Sequence, residues 1–154
     1  MSDVLFNLAS RGLSLPAPPK PGGAYVPVRV IGGVAYVAAQ FPIRADGGAF
    51  RGRLGRELST EDGYRAAELC ALNVLAQIHH AVGFDKILGL NRFEAYLQTV
   101  EGWDEFPRVV DGASHLFLAA LGPDAGQHAR ALFGVERLPL NFPIELTATF
   151  TLRG

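Results

Sequence analysis

Arg130 and Glu145 are the residues whose types and spacing best suit chemistry. An arginine presents a planar fork of N–H donors that can hold a carboxylate through two parallel hydrogen bonds. A glutamate beside it can orient and deprotonate a water. The two lie 15 residues apart, across the connection Leu138-Pro139-Leu140-Asn141-Phe142-Pro143, so pairing of adjacent strands would bring them close. The competing interpretation is a structural Arg–Glu pair, or a glutamate facing solvent. Other reactive side chains offer less. His79 and His80 are sequence neighbours near a helix end, so they point in different directions and do not suit a shared metal. His115 reads as a helix-surface residue. Cys70 is the only cysteine, which excludes an internal disulfide and any zinc site built on several cysteines. Its mid-helix, apolar surroundings mark an inert core residue rather than a nucleophile. No Walker loop, His-Glu-x-x-His or Gly-x-Ser-x-Gly motif occurs.

These residues need elements to position them. Residues 1–23, with Pro16, Pro18, Pro19 and Pro21, read as an arm or loop with at most one helical turn. Residues 24–154 form the domain. Ala24–Val30 and Val34–Phe41 are apolar and β-branched around Ile31-Gly32-Gly33, the pattern of a hairpin. Phe50–Leu58, with Arg51, Arg53 and Arg56, reads as a solvated loop with a short strand. Ser59 and Asp62 open a helix as a capping box. Tyr64, Ala67, Ala71, Val74, Ile78 and Ala81 give it one apolar face, and Gly83 closes it. Ile87–Thr99 alternates as a strand. Asp104 is a candidate cap for a second helix running to about Leu121, with Gly122 ending it. Ala131–Arg137 reads as a strand. In the last strand Ile144, Leu146, Ala148, Phe150 and Leu152 take one face, and Glu145, Thr147, Thr149 and Thr151 the other. The order β-β-(β)-α-β-α-β-β predicts an α+β sheet with both helices on one face.

Composition narrows the function classes. The chain has 154 residues, 49% hydrophobic and 19% charged, enough to build one core. A net charge of −1 excludes a strongly basic nucleic-acid binder. Residues 1–10 lack the basic-then-apolar pattern of a secretory signal. No window approaches 18 uninterrupted apolar residues. The expectation is a soluble cytoplasmic protein with no membrane partner.

His128-Ala129-Arg130-Ala131-Leu132-Phe133-Gly134-Val135-Glu136-Arg137-Leu138-Pro139, followed by Pro143-Ile144-Glu145-Leu146, resembles the signature of the RidA family of reactive-intermediate deaminases, once labelled L-PSP endoribonucleases. Gly22-Gly23-Ala24-Tyr25 resembles the family's loop tyrosine segment. Tyr36-Val37-Ala38-Ala39-Gln40-Phe41-Pro42 resembles its Ser-Gly-Gln-x-Pro strand end, and Tyr64–Ala76 its first long helix. The resemblance implies a chorismate mutase-like fold of the Bacillus type, a mixed sheet with two helices on one face. It implies a homotrimer with clefts between subunits. It also implies hydrolysis of enamines and imines to 2-oxo acids and ammonia, without metal or organic cofactor. By position, Arg130 would bind the substrate carboxylate, Glu145 would position the attacking water, and Tyr25 and Ala39 would line the cleft. Three departures stand out. Ala38-Ala39 replaces Ser-Gly, Leu132 replaces a small residue or cysteine, and Asp111-Gly112-Ala113-Ser114 occupies the region of a helical asparagine. They imply a reshaped pocket. The alternative is a protein of the same fold that binds a small carboxylate or a partner without turnover. A ribonuclease ranks third, since no histidine pair accompanies Glu145 and only the Arg51–Arg56 run offers a basic patch.

Overall fold

The computed structural model describes residues 3–154. Its elements are α1 (Val4–Ala9), β1 (Val28–Ile31), β2 (Val34–Gln40), α2 (Thr60–Ala81), β3 (Ile87–Gln98), α3 (Phe106–Ala125), β4 (Ala129–Val135) and β5 (Ile144–Leu152). The sheet runs in the order β1-β2-β5-β3-β4. Only β3 and β4 are parallel, joined through the crossover helix α3. The other neighbours are antiparallel.

Alternation decides which face of the sheet is covered. Phe93, Ala95 and Leu97 of β3 and Ile144, Leu146, Ala148 and Phe150 of β5 are buried beneath α2 and α3. Glu145, Thr147 and Thr149 point the other way and stay half-buried. Helix α2 starts as expected. The Ser59 hydroxyl accepts the Asp62 N–H while the Asp62 carboxylate accepts the Ser59 N–H. Gly83 ends it with φ 88°. Tyr64 and Ala81 stay out of the core, whereas Ala67, Ala71, Val74 and Ile78 are buried.

Several boundaries move. Pro27 has no N–H to pair, so β1 begins at Val28 rather than Ala24. The turn at Gly32 and Gly33 has φ 58° and 76°, the left-handed pair a two-residue hairpin turn needs. Helix α3 is capped at Glu105, not Asp104. The Glu105 carboxylate accepts hydrogen bonds from the Thr60 hydroxyl and the Arg108 guanidinium instead of capping. Gly122, at φ 88° and ψ 172°, interrupts α3 after Leu121. The segment before the prolines forms α1, whose Val4 and Leu8 join the core and whose Asn7 amide donates to the Ala120 carbonyl. The expected strand within Phe50–Leu58 reduces to isolated bridges at Leu54. Arg51 donates to the Leu140 carbonyl, and Arg53 to the Thr99 and Glu136 carbonyls. Arg51 and Arg53 thus staple the connection before β5, while Arg51 and Arg56 stay exposed as a solvated loop would leave them.

Candidate functional site

Arg130 aligns with the buried Phe93 in the β3–β4 ladder, so its side chain rises on the helix-covered face. There it meets α3. Its Nη1 donates to the Asp111 carboxylate at 2.8 Å and to the Ser114 hydroxyl at 3.0 Å, and Nη2 lies 3.5 Å from the Pro107 carbonyl. The Ser114 hydroxyl also lies 2.9 Å from Nε2 of His128, whose Nδ1 is 2.6 Å from the Gly126 carbonyl. A carbonyl only accepts, so Nδ1 carries a proton and donates it to Gly126. The imidazole packs against the rings of Phe93 and Phe117. Arg130 is therefore held in one orientation by three side chains, Asp111, Ser114 and, behind Ser114, His128, with a countercharge already beside it.

Glu145 aligns with Tyr96 on β3 and faces the uncovered side of the sheet. It is half-buried and makes no hydrogen bond or ion pair among the described residues. Burial pushes its carboxyl above the usual carboxylate range. Nearby, the Tyr96 hydroxyl donates to Glu94 and its ring stacks on Phe133 at 5.1 Å.

Adjacent pairing does not bring Arg130 and Glu145 together within one chain. β3 lies between β4 and β5, and the two side chains leave opposite faces of the sheet. A structural Arg130–Glu145 pair is likewise absent: the carboxylate bound to Arg130 is Asp111. Ala38 and Ala39 occupy a bulge, where β2 advances from Val37 to Gln40 while β5 advances only from Ala148 to Leu146. Leu132, two residues beyond Arg130 and on its face, packs against the core. Tyr25 is half-exposed on the loop before β1, where its hydroxyl accepts the Gly22 N–H. It lines a cavity of about 380 Å³ between the proline-rich segment and the 139–142 turn. Cys70 is fully buried, and burial pushes its thiol well above the ordinary value. Among the described residues no group of three or more His, Cys, Asp or Glu side chains gathers where a metal could sit. None of their helices is long and apolar enough to cross a membrane.

Asp111, Ser114 and His128 escape a sequence reading as a site, because their convergence depends on the α3 crossover. The one available signal is that Asp111-Gly112-Ala113-Ser114 stands where the resemblance calls for an asparagine.

This fold, an α+β sheet with unpaired edges and one uncovered face, is shared by known proteins. Residues 6–150 match the family described as "YjgF/chorismate_mutase-like, putative endoribonuclease". The chain belongs to this family, the RidA-type proteins. It is 33% identical over 152 residues to Protein TCP17 of Trypanosoma cruzi, covering 98% of this chain and 95% of that one. It is 32% identical to Atu1372 of Agrobacterium tumefaciens, a structure described as of unknown function, with TM-score 0.91 over 99% of this chain and 94% of the other. It is 31% identical to a structure described as a "putative endoribonuclease" from Shewanella oneidensis, with TM-score 0.93 over 97% and 99%.

Proposed function

We propose that the protein hydrolyses reactive enamines and imines to 2-oxo acids and ammonia, in a cleft formed between copies of the chain. In that reaction a water oxygen bonds to the imine carbon and its proton passes to nitrogen. The hydroxyl of the resulting carbinolamine gives its proton to the amine, the carbon–nitrogen bond breaks, and ammonia leaves as the carbonyl forms. The observation that carries this reading is Glu145, a half-buried carboxylate with no donor among the described residues and with a raised proton affinity. Such a group can take a proton from an attacking water more readily than an exposed glutamate can. Arg130, held rigid by Asp111 and Ser114, supplies the cation for the substrate carboxylate. Because the two residues leave opposite faces of one sheet, a cleft that uses both takes Arg130 from one copy and Glu145 from the next.

A coupled assay with a serine or threonine dehydratase tests the reaction. The expected result is 2-oxo acid release faster than in buffer alone, lost in Arg130→Ala. Release no faster than buffer overturns the reading.

One observation favours the alternative, a non-catalytic protein that binds a small carboxylate or a partner. Asp111, 2.8 Å from Arg130, already neutralises the cation that a substrate carboxylate would need. A ribonuclease is disfavoured on the same footing. Arg51 and Arg53 bond to backbone carbonyls, and Arg56 pairs with Glu57 at 3.0 Å, so this run offers phosphates little.

A further inference from the structure

We propose that Asp111 is a specificity-determining residue that turns the Arg130 anchor away from free carboxylates and toward neutral carboxamides. The preferred substrate is then an imine or enamine with a carboxamide where the free acid would stand. The inference rests on the reading above for hydrolysis of the carbon–nitrogen bond and changes the group held beside it. Water addition to such an imine gives a 2-oxo amide and ammonia, and the free acids are turned over less well.

Arg130 and Asp111 form one donor–acceptor surface. Their ion pair closes at 2.8 Å, and the two side chains are 25% and 42% exposed, so a ligand can meet both. Nη1 commits its two hydrogens, one to Asp111 Oδ1 and one to the Ser114 hydroxyl. Nη2 has the Pro107 carbonyl at 3.5 Å, and Nε has no acceptor among the described residues. Across the pair, Asp111 Oδ2 has no donor among the described residues. Donors at Nη2 and Nε therefore stand beside an acceptor at Oδ2.

A carboxylate answers only half of this surface. Both of its oxygens accept, so it can take the arginine hydrogens, but it sets a second negative charge beside Asp111 around a single cation. An amide answers both halves, its carbonyl accepting from the guanidinium and its N–H donating to Oδ2. The ion pair is neutral as a unit, so a neutral ligand needs no further countercharge, whereas an ionised group leaves water without gaining one. A like charge beside the binding group is how a site rejects a near-isostere. Ser114 braces the arrangement. It is 7% exposed and bonds both to Arg130 Nη1 and, at 2.9 Å, to His128, which packs against Phe93 and Phe117. A ligand thus meets a pair that is already formed, with little left to order on binding.

The test compares pyruvate with pyruvamide, which differ only in a carboxylate oxygen against an amino group, by NMR titration. In the parent, pyruvamide should bind at least about fivefold tighter than pyruvate. In Asp111→Asn the preference should reverse, as pyruvate tightens about tenfold and pyruvamide changes by less than about threefold. Arg130→Ala should weaken both ligands, which places them at this pair. Equal affinities in the parent, tighter binding of pyruvate, or binding of neither ligand overturns the assignment. So does a preference that Asp111→Asn leaves unchanged, or affinities indifferent to Arg130→Ala. Should Asp111→Asn melt far below the parent, the parent titrations and Arg130→Ala decide. The coupled dehydratase assay reports on hydrolysis separately. Amide-selective binding without any hydrolysis overturns the catalytic reading and leaves this assignment standing; hydrolysis with carboxylate-selective binding does the reverse.

Discussion

Glu145 sits where burial penalises its charge and no donor among the described residues offsets the penalty. Its raised folded-state pKa has a defined consequence for stability. Between the unfolded and folded pKa values the native state holds more protons than the unfolded state, so stability falls as pH rises through that window. The destabilisation is complete above the folded pKa and vanishes below the unfolded one. Glu145→Gln removes it, so the variant should melt no lower than the parent at pH 7 by calorimetry. If Glu145 positions the water, the same variant should lose about 10²–10⁴-fold in kcat. An active variant would remove Glu145 from catalysis. On the opposite face, Asp111 competes with any carboxylate for Arg130. Asp111→Asn keeps an acceptor for Nη1 but removes the charge. 2-Oxo acids should then bind about tenfold tighter, on the order of 1.4 kcal/mol, by calorimetry. Weaker binding would mean that Asp111 is needed to hold the arginine rather than mask it.

The connection between β4 and β5 is ordered by one buried amide at the end of β3. Gln98 accepts the Leu138 N–H at 2.8 Å and donates to Asn141 Oδ1 at 2.8 Å and to the Gly52 carbonyl at 3.3 Å. It therefore couples β3, the arginine-bearing loop and the 139–142 turn that borders the cavity beside Tyr25. Gln98→Leu fits the volume but leaves the Leu138 N–H, the Asn141 side chain and the Gly52 carbonyl without that partner. Orphaning one or two such groups costs about 2–4 kcal/mol. The expected outcome in urea is a lower midpoint with an unchanged slope. A midpoint equal to the parent's would show that the turn stands without Gln98.

Taken as a whole, the molecule leaves one sheet face without a layer. Tyr36 on β2 and Phe133 on β4 are exposed there, 49% and 42%, beside half-buried threonines of β5. The edge strands β1 and β4 each lack a neighbour on one side. Exposed aromatic side chains on an uncovered sheet face suit an interface between copies. The expectation is a trimer of 16.5 kDa chains in sedimentation at micromolar concentration. Thr149→Arg, which places a charge on that face, should shift it toward monomer. A parent protein sedimenting as a monomer would remove both the assembly and the cleft between copies.

The sequence by itself determined what is local or periodic. The capping box at Ser59 and Asp62, the stop at Gly83, the two-glycine hairpin turn and the alternation of β5 are set by neighbours a few residues apart, and the structure contains each of them. The Arg130-to-Glu145 segment, together with the stretches at Gly22–Tyr25, Tyr36–Pro42 and Tyr64–Ala76, also pointed to the family. Tertiary structure alone decided which side chains meet. β3 inserts between β4 and β5, the register sets Arg130 beside Phe93 and Glu145 beside Tyr96 on opposite faces, and the crossover helix brings Asp111 and Ser114 to Arg130. Strand order and crossover packing depend on burial across the whole sheet, a non-local quantity that no window of sequence contains. The arginine run shows the same limit. Its exposure is as expected at Arg51 and Arg56, but only the fold brings the carbonyls of Thr99, Glu136 and Leu140 within reach of Arg53 and Arg51.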